Sequence, residues 1–212
     1  MSELILSAKT VLQMQKTEKQ RSDESIAIWK SPSSVGSDWF REESAVLSLE
    51  ELLVERYLMI NMIDAVIDKE DIGTLIEIGV GDGRFLDFLC DKYNEKVEQF
   101  IGFDLNEQKM IENSNRYDNR ISFHDGFFQD GIVNIDLNNN SLLVVVSKTL
   151  TLMTQSEIIS LLKCMKKLNS KTYFIFYEKS DMDMDLEVDS RLRGCIYFYS
   201  HNYVKMITDC QG

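Results

Sequence analysis

The 212-residue chain carries 35 Asp and Glu residues against 23 Lys and Arg, which gives a net charge of −12 at pH 7. Nucleic-acid binding depends on a basic surface that displaces counterions, and no basic cluster stands out here, so a DNA or RNA substrate is disfavoured. There is no apolar run of eighteen or more residues and no signal-peptide pattern, so we expect a cytoplasmic protein without membrane contact. Four scattered cysteines without a Cys-x-x-Cys pair predict neither structural zinc nor a disulfide framework.

The first 70 residues predict a helical cap, followed by one larger domain over residues 71–212. Apolar residues at helical spacing predict a short amphipathic helix over residues 2–14, whereas residues 15–24 are charged and aperiodic. Residues 30–38 hold the only proline and four serines, which predicts a loop that could act as a lid. A capping box, Ser48 to Glu51, begins a long helix that continues to Ile67. Trp39 and Phe40, just before it, favour packing on the core over closing on a ligand.

The most informative stretch is TLIEIGVGDGR, residues 74–84. An apolar strand containing Glu77 reaches Gly79, Gly81 and Gly83, and an amphipathic helix follows at once. Such a turn leaves backbone N–H groups facing a concavity that a polar ligand can approach closely. The spacing differs from the dinucleotide fingerprint G-x-G-x-x-G, and the lysine of the phosphate loop is absent. Glycines also simply end strands, so the turn alone does not identify the ligand.

Two further strands end in acids. The strand over residues 99–104 ends in Asp104, twenty-one residues beyond Gly83, close to the distance at which such a carboxylate reaches a ribose diol. Asn106 can cap the next helix, which leaves Asp104 free for a ligand. The strand over residues 120–125 ends in Asp125, and by alternation His124 points away from the same pocket.

Alternation of strands and helices continues to residue 178. Residues 141–147 contain five consecutive aliphatics and predict a buried central strand. A second capping box at Thr154 begins a helix that extends to Leu168, and residues 172–177 predict a fifth strand. The fold class is therefore α/β, with a doubly wound, mostly parallel Rossmann-like sheet and right-handed crossovers.

The pattern Glu-x-Gly-x-Gly-x-Gly, with acids ending the second and third strands, resembles class I S-adenosylmethionine-dependent methyltransferases over residues 74–178. Small-molecule members of that family often carry an N-terminal helical cap. The resemblance implies S-adenosylmethionine as cofactor and direct methyl transfer to a small-molecule acceptor. It also implies roles for the site residues. Glu77 supports the turn or the methionine amino group, and Gly79, Gly81 and Gly83 underlie the methionyl moiety. Asp104 holds the ribose, the neighbouring Leu105 also belongs to the cofactor site, and Asp125 meets the adenine amino group. Gly126 and Phe127 lie beside the base, and Ser147 lies beside the methyl group.

Methyl transfer needs alignment more than side-chain chemistry, because the sulfonium is already activated. A general base is required only for an acceptor that holds a proton at neutral pH, and the candidates are His201, Lys148 and Tyr199. The simpler alternatives are a helix-start histidine and a surface lysine. Three other functions stay open: aminopropyl transfer, NAD-dependent oxidation, and a non-catalytic binding subunit with the same fold.

The C-terminal segment departs from the family. A complete fold adds an antiparallel hairpin, yet the sequence predicts one strand at most, at residues 195–199, and then a helix over residues 200–209. We therefore expect the last antiparallel strands to be missing or replaced, and the open sheet edge to receive a second copy or another partner. The acidic stretch 181–189 lacks the glycine and glutamate of an EF-hand, so no metal site is predicted.

Overall fold

The computed structural model describes residues 15–31, 48–137, 141–168, 171–178, 190–193 and 198–211. Its central sheet has five parallel strands in the order β3-β2-β1-β4-β5. The strands are β1 (Ile72–Ile78), β2 (Gln99–Asp104), β3 (Ser122–Asp125), β4 (Ser141–Ser147) and β5 (Thr172–Tyr177). The predicted α/β fold with a Rossmann-like parallel sheet is therefore confirmed.

Helices cover both faces of this sheet. They are α1 (Glu18–Lys30), α2 (Leu49–Glu55), α3 (Tyr57–Ile67), α4 (Arg84–Tyr93), α5 (Glu107–Arg116), α6 (Phe128–Gly131), α7 (Gln155–Lys167) and α8 (Tyr203–Gln211). Because successive strand residues face opposite sides, Leu75 packs in the core with α3 and α4, whereas Ile76 packs in the core with α7 and α8. Both cores end at the carboxyl edge of the sheet, where the loops begin.

Side-chain caps set most helix starts. Ser48 and Thr154 form the predicted capping boxes, and the Asn106 side chain accepts from the Lys109 N–H. The long helix predicted after Ser48 is interrupted at Arg56, so it forms α2 and α3 instead. These starts were readable from sequence because a cap and the residue it bonds are neighbours along the chain.

Residues 15–24 are charged and aperiodic and were not predicted to be helical, yet α1 begins at Glu18. Thr17 and Gln20 form a complete capping box at its start. The helix has only Ser25 buried, so it lacks the apolar stripe on which the prediction depended. The Thr17-x-x-Gln20 spacing was the signal that could have found it.

The described C-terminal residues form two strands where one was expected. Strands β6 (Ser190–Arg193) and β7 (Phe198–His201) pair antiparallel in a separate two-stranded sheet, so they do not extend the central sheet. The last helix begins at Tyr203 rather than at residue 200, and the Asn202 side chain accepts from the Lys205 N–H. Four-residue strands are too short to show a period-two pattern, which is why β6 was missed.

Several predicted features lie outside the described residues: the helix at 2–14, residues 32–38 of the loop, Trp39 and Phe40, Cys195 and the acidic stretch 181–189. Within the described ranges, no helix combines the length and apolar character needed to cross a bilayer. The division into a cap over 1–70 and a larger domain stays a prediction.

Candidate cofactor-binding site

A cavity of about 190 Å³ lies at the carboxyl edge of the central sheet. The turns after four strands contribute to its wall: Gly79 and Gly81 after β1, Leu105 after β2, Phe127 after β3, and Thr149 after β4. Parallel strands bring their carboxyl ends to one edge, which is where open α/β sheets bind ligands. The cavity therefore stands where the sequence placed the ligand.

The glycine turn has a left-handed backbone at all three glycines, with φ of 74° at Gly79, 55° at Gly81 and 78° at Gly83. A Cβ at residue 79 would lie 1.9 Å from Thr149 Oγ1, and one at residue 83 would lie 2.6 Å from a ring carbon of Tyr117. A Cβ at Gly81 would meet nothing within 4 Å. Glycine is thus required sterically at 79 and 83, while Gly81 leaves its side of the cavity open.

Asp104 is held beside this turn by the backbone. Its Oδ2 accepts from the Gly81 N–H and its Oδ1 from the Asn106 N–H, each at 3.0 Å. Burial raises the pKa of the Asp104 carboxyl, and the backbone N–H groups oppose that rise. A carboxylate oxygen accepts more than one hydrogen bond, so both oxygens retain capacity for ligand hydroxyls. Asn106 caps α5, as predicted, and leaves the carboxylate to the cavity.

The turn after β3 brings Gly126 and Phe127 to the cavity, together with Phe128 and Gln129. Asp125, the predicted partner of the adenine amino group, is exposed and is not part of the wall. Its role in binding the adenine amino group stays a prediction, and its position outside the wall does not support that role. His124 also lies outside the wall, and its ring stacks on Phe103 with centroids 5.3 Å apart.

Glu77 is buried beside the turn but does not line the cavity. Its Oε1 pairs with Arg56 Nη1 at 3.3 Å, and the same guanidinium lies 4.3 Å from the centre of the Phe85 ring. Its Oε2 has no hydrogen-bond partner within the described residues. Burial raises the pKa of Glu77 to about 7, although Arg56 opposes the rise. Contact with Arg56 links β1 to the α2–α3 junction.

His201 ends β7 rather than beginning a helix, which corrects its predicted placement. It is buried, with Nδ1 2.7 Å from Ser190 Oγ and Nε2 3.0 Å from the Met153 carbonyl oxygen. Because a carbonyl only accepts, we assign the ring proton to Nε2 and let Nδ1 accept from Ser190. Burial lowers the pKa of His201 to about 4. Both nitrogens are engaged, and the ring is not part of the cavity wall.

Lys148 and Ser147 are also outside the wall. The Lys148 ammonium forms an ion pair with Glu55 of α2, and its backbone has a φ of 57°. Ser147 is buried, and its Oγ has no hydrogen-bond partner among the residues that the structure describes. Thr149, two residues beyond Ser147 in the same strand exit, lines the cavity instead. The sequence predicts that the exit from β4 lies at the site, but it does not show which of its side chains faces the cavity.

The missed helix α1 also contributes to the wall, through Ser25, Ile26 and Trp29. It is joined to the start of α7 by a 2.6 Å bond from Ser22 Oγ to Glu157 Oε1 and by a bond from the Ser156 N–H to Glu18. Glu157 itself lines the cavity. A helix before the sheet thus supplies part of the cavity wall, and its capping box was the sequence signal that could have found it.

No protein-family model matches the sequence, and no curated protein matches it. Solved structures do match in fold. A SAM-dependent methyltransferase of Leishmania major superposes with a TM-score of 0.64 at 11% identity, over 90% of this chain and 72% of that one. The PH0226 protein of Pyrococcus horikoshii gives 0.56 at 13% identity, over 81% and 88%. DhpI, solved in complex with SAH, gives 0.50 at 10% identity, over 91% and 86%. The chain therefore has the fold of class I S-adenosylmethionine-dependent methyltransferases.

Proposed function

We propose that this chain binds S-adenosylmethionine in the cavity and transfers its methyl group to a small-molecule acceptor. The observation that carries the proposal is the Asp104 carboxylate, held between the Gly81 and Asn106 N–H groups at the end of β2. In this position it faces the glycine turn and can accept from both hydroxyls of a ribose. Two of the similar structures support the ligand by name, one as a SAM-dependent methyltransferase and one as a complex with SAH.

The other parts of the ligand follow from the same arrangement. Leu105, after β2, and Phe127, after β3, supply apolar surface in the cavity for the adenine base. Gly79 and Gly81 let the methionyl part approach the backbone, where a side chain at Gly81 would intrude on open space. Thr149, Leu152 and Met153 then bound the cavity after β4, where the methyl group is expected.

Methyl transfer in this proposal is accelerated by alignment of the acceptor with the S–CH₃ bond. His201 and Lys148 stay predictions as general bases. The geometry offers neither a free lone pair on His201 nor a cavity position for Lys148. An acceptor that already carries an available lone pair at neutral pH needs no base and suits this site best.

Calorimetric titration tests the cofactor assignment. Wild-type protein should bind S-adenosylmethionine and S-adenosylhomocysteine and should give no heat with NAD. Asp104→Asn should weaken binding by about 50-fold, because charge-assisted hydrogen bonds are replaced by neutral ones and one acceptor oxygen is lost. Asp91→Asn is the matched control, since Asp91 is an exposed aspartate that pairs with Arg120. Heat with NAD but none with S-adenosylmethionine would overturn the proposal in favour of an oxidoreductase.

Methyl transfer is tested separately. Incubation with methyl-labelled S-adenosylmethionine and a metabolite extract should move label into the small-molecule fraction. Retention of all label in bound S-adenosylmethionine, with normal binding, would indicate a non-catalytic binding subunit. Label in the macromolecular fraction alone would contradict the small-molecule acceptor.

A further inference from the structure

The segment that leaves β4, residues 148–153, is here called the β4 exit loop. Three of its residues, Thr149, Leu152 and Met153, line the cavity. It begins at Lys148 with a φ of 57°, a left-handed backbone that side chains disfavour, and continues through a 3-10 turn at Leu150–Leu152. A loop that starts in a disfavoured conformation needs another interaction to hold it.

Glu178, the residue that follows β5, provides that interaction. Its Oε1 accepts from the Thr149 and Leu150 N–H groups, both at 2.8 Å, and its Oε2 accepts from the Thr151 N–H at 3.3 Å. The neighbouring Lys148 N–H donates to the Tyr177 carbonyl at 2.9 Å, so β5 and the loop remain in register up to this point. One carboxylate therefore satisfies three consecutive backbone donors of the exit loop.

The exit loop in turn contacts the glycine turn. A Cβ at residue 79 would lie only 1.9 Å from Thr149 Oγ1, so the two atoms would overlap. A shift of Thr149 would thus change the cavity on the side of Gly79. Glu178 therefore contacts the backbone of the exit loop, and the Thr149 side chain of the same loop contacts the glycine turn.

We propose that Glu178 is a positioning residue for the cofactor site, because its carboxylate holds the β4 exit loop against the Gly79 turn and so keeps the cavity shaped for S-adenosylmethionine. The inference rests on the proposed cofactor, although Glu178 does not line the cavity. Hydrogen bonds from N–H groups to a charged acceptor are about twice as strong as those to a neutral one. The clamp is therefore strongest when Glu178 is ionised.

The groups around Glu178 allow its protonation to be tested. Burial raises its pKa to about 7, opposed by the three N–H groups and by Lys148. From α8 it faces Tyr203, whose hydroxyl has no hydrogen-bond partner within the described residues and whose pKa is raised by burial and by the charge of Glu178. Lys148 is itself paired with Glu55. The carboxylate therefore gains a proton, and loses strength as an acceptor, as the pH falls through about 7.

The experiment compares Glu178→Gln with wild type by calorimetric titration of S-adenosylmethionine at pH 8 and pH 6. At pH 8 the variant should bind about tenfold more weakly, because a neutral amide replaces the charged acceptor. At pH 6 the ratio of the two affinities should approach one, since the wild-type carboxyl is then largely protonated. The ratio cancels the titration of groups that both proteins share, Glu77 and Asp104 included.

Glu70→Gln is the matched control. Glu70 pairs with Lys171, which immediately precedes β5, at the end of the strand opposite Glu178. Its replacement should leave the affinity for S-adenosylmethionine unchanged at both pH values. Equal affinity of Glu178→Gln and wild type at pH 8, or the same loss at both pH values, would overturn the positioning role.

Hydrogen exchange of the unliganded proteins separates this inference from the proposed function. Amides 149–151 should exchange faster in Glu178→Gln than in wild type at pH 8, while the β4 amides stay protected. If wild type binds no S-adenosylmethionine, the proposed function fails and with it the role in positioning that cofactor. Unchanged exchange at 149–151 would refute the clamp itself, whatever the cofactor.

Discussion

The turn after β1 and the β4 exit loop both approach the cavity in left-handed conformations, and they are stabilised in different ways. The turn after β1 uses glycines, with φ between 55° and 78° at Gly79, Gly81 and Gly83. The β4 exit loop adopts a φ of 57° at Lys148 and is held by hydrogen bonds to Glu178. In the first segment the glycines themselves permit the left-handed conformation. The second depends on a carboxylate from the neighbouring strand.

The same contrast separates the two glutamates next to these segments, Glu77, which is buried, and Glu178, which is partly buried. Glu77 pairs with Arg56 through one oxygen, whereas Glu178 accepts three backbone N–H groups through both. Burial raises the pKa of each to about 7. The β1 side therefore relies on a cation from the α2–α3 junction, and the β4 side relies on backbone donors.

The largest effect is expected when Arg56, the cation paired with Glu77, is replaced. Arg56→Met should lower the free energy of unfolding by about 4 kcal/mol at pH 8, because it leaves the Glu77 carboxylate buried without its partner. The folded pKa of Glu77, about 7, lies above its ordinary value of 4.5. Its protonated form therefore stabilises the fold fully below pH 4.5, and this stabilisation is lost as the pH rises through 7. Urea unfolding should accordingly show a deficit that is smaller by about 1.4 kcal/mol at pH 5, because pH 8 lies about one unit above the wild-type pKa of Glu77.

A second substitution distinguishes charge from packing in that result. Adding Glu77→Gln to Arg56→Met should recover the pH-dependent part of the stability at pH 8, since no ionisable group then remains at residue 77. A deficit that is the same at pH 5 and pH 8 would indicate that Arg56 acts through its contact with the Phe85 ring instead.

An intermediate effect is expected where the two segments touch. Gly79→Ala should lower the free energy of unfolding by about 3 kcal/mol, because its Cβ would overlap Thr149 and its backbone would be strained. Gly81→Ala has the strain without the overlap and should cost about 1 kcal/mol. Both are measured by denaturant unfolding without ligand. Equal costs would contradict the contact between the turn and the exit loop.

The smallest effect concerns strain in the exit loop. Lys148→Gly and Lys148→Ala both remove the ion pair with Glu55, but only glycine relieves the left-handed backbone. The glycine variant should therefore be more stable than the alanine variant by about 1 kcal/mol in thermal unfolding. Alanine as stable as glycine would show that Lys148 is not strained.

Much of the central sheet could be predicted from sequence. The predicted bounds of β2, β4 and β5 match the structure, because each strand is a short run of mainly aliphatic and aromatic residues with a polar residue at one or both ends. The caps at Ser48, Asn106 and Thr154 were also visible, since each bonds a residue three positions along. Helix α1 and strand β6 were missed because the first has a single buried residue and the second has four residues in all.

The contacts at the cavity also divide into those that the sequence predicts and those that it does not. The sequence by itself determined that Gly79, Gly81 and Asp104 would meet, because successive parallel strands end at one edge of the sheet and each residue follows or ends its strand. Only the tertiary structure decided that Thr149 packs on Gly79, that Glu178 holds the exit loop, and that α1 joins the wall. It also decided that His201 is buried outside the cavity wall. Those contacts join residues far apart in the chain, and no local pattern encodes a partner that only folding brings into reach.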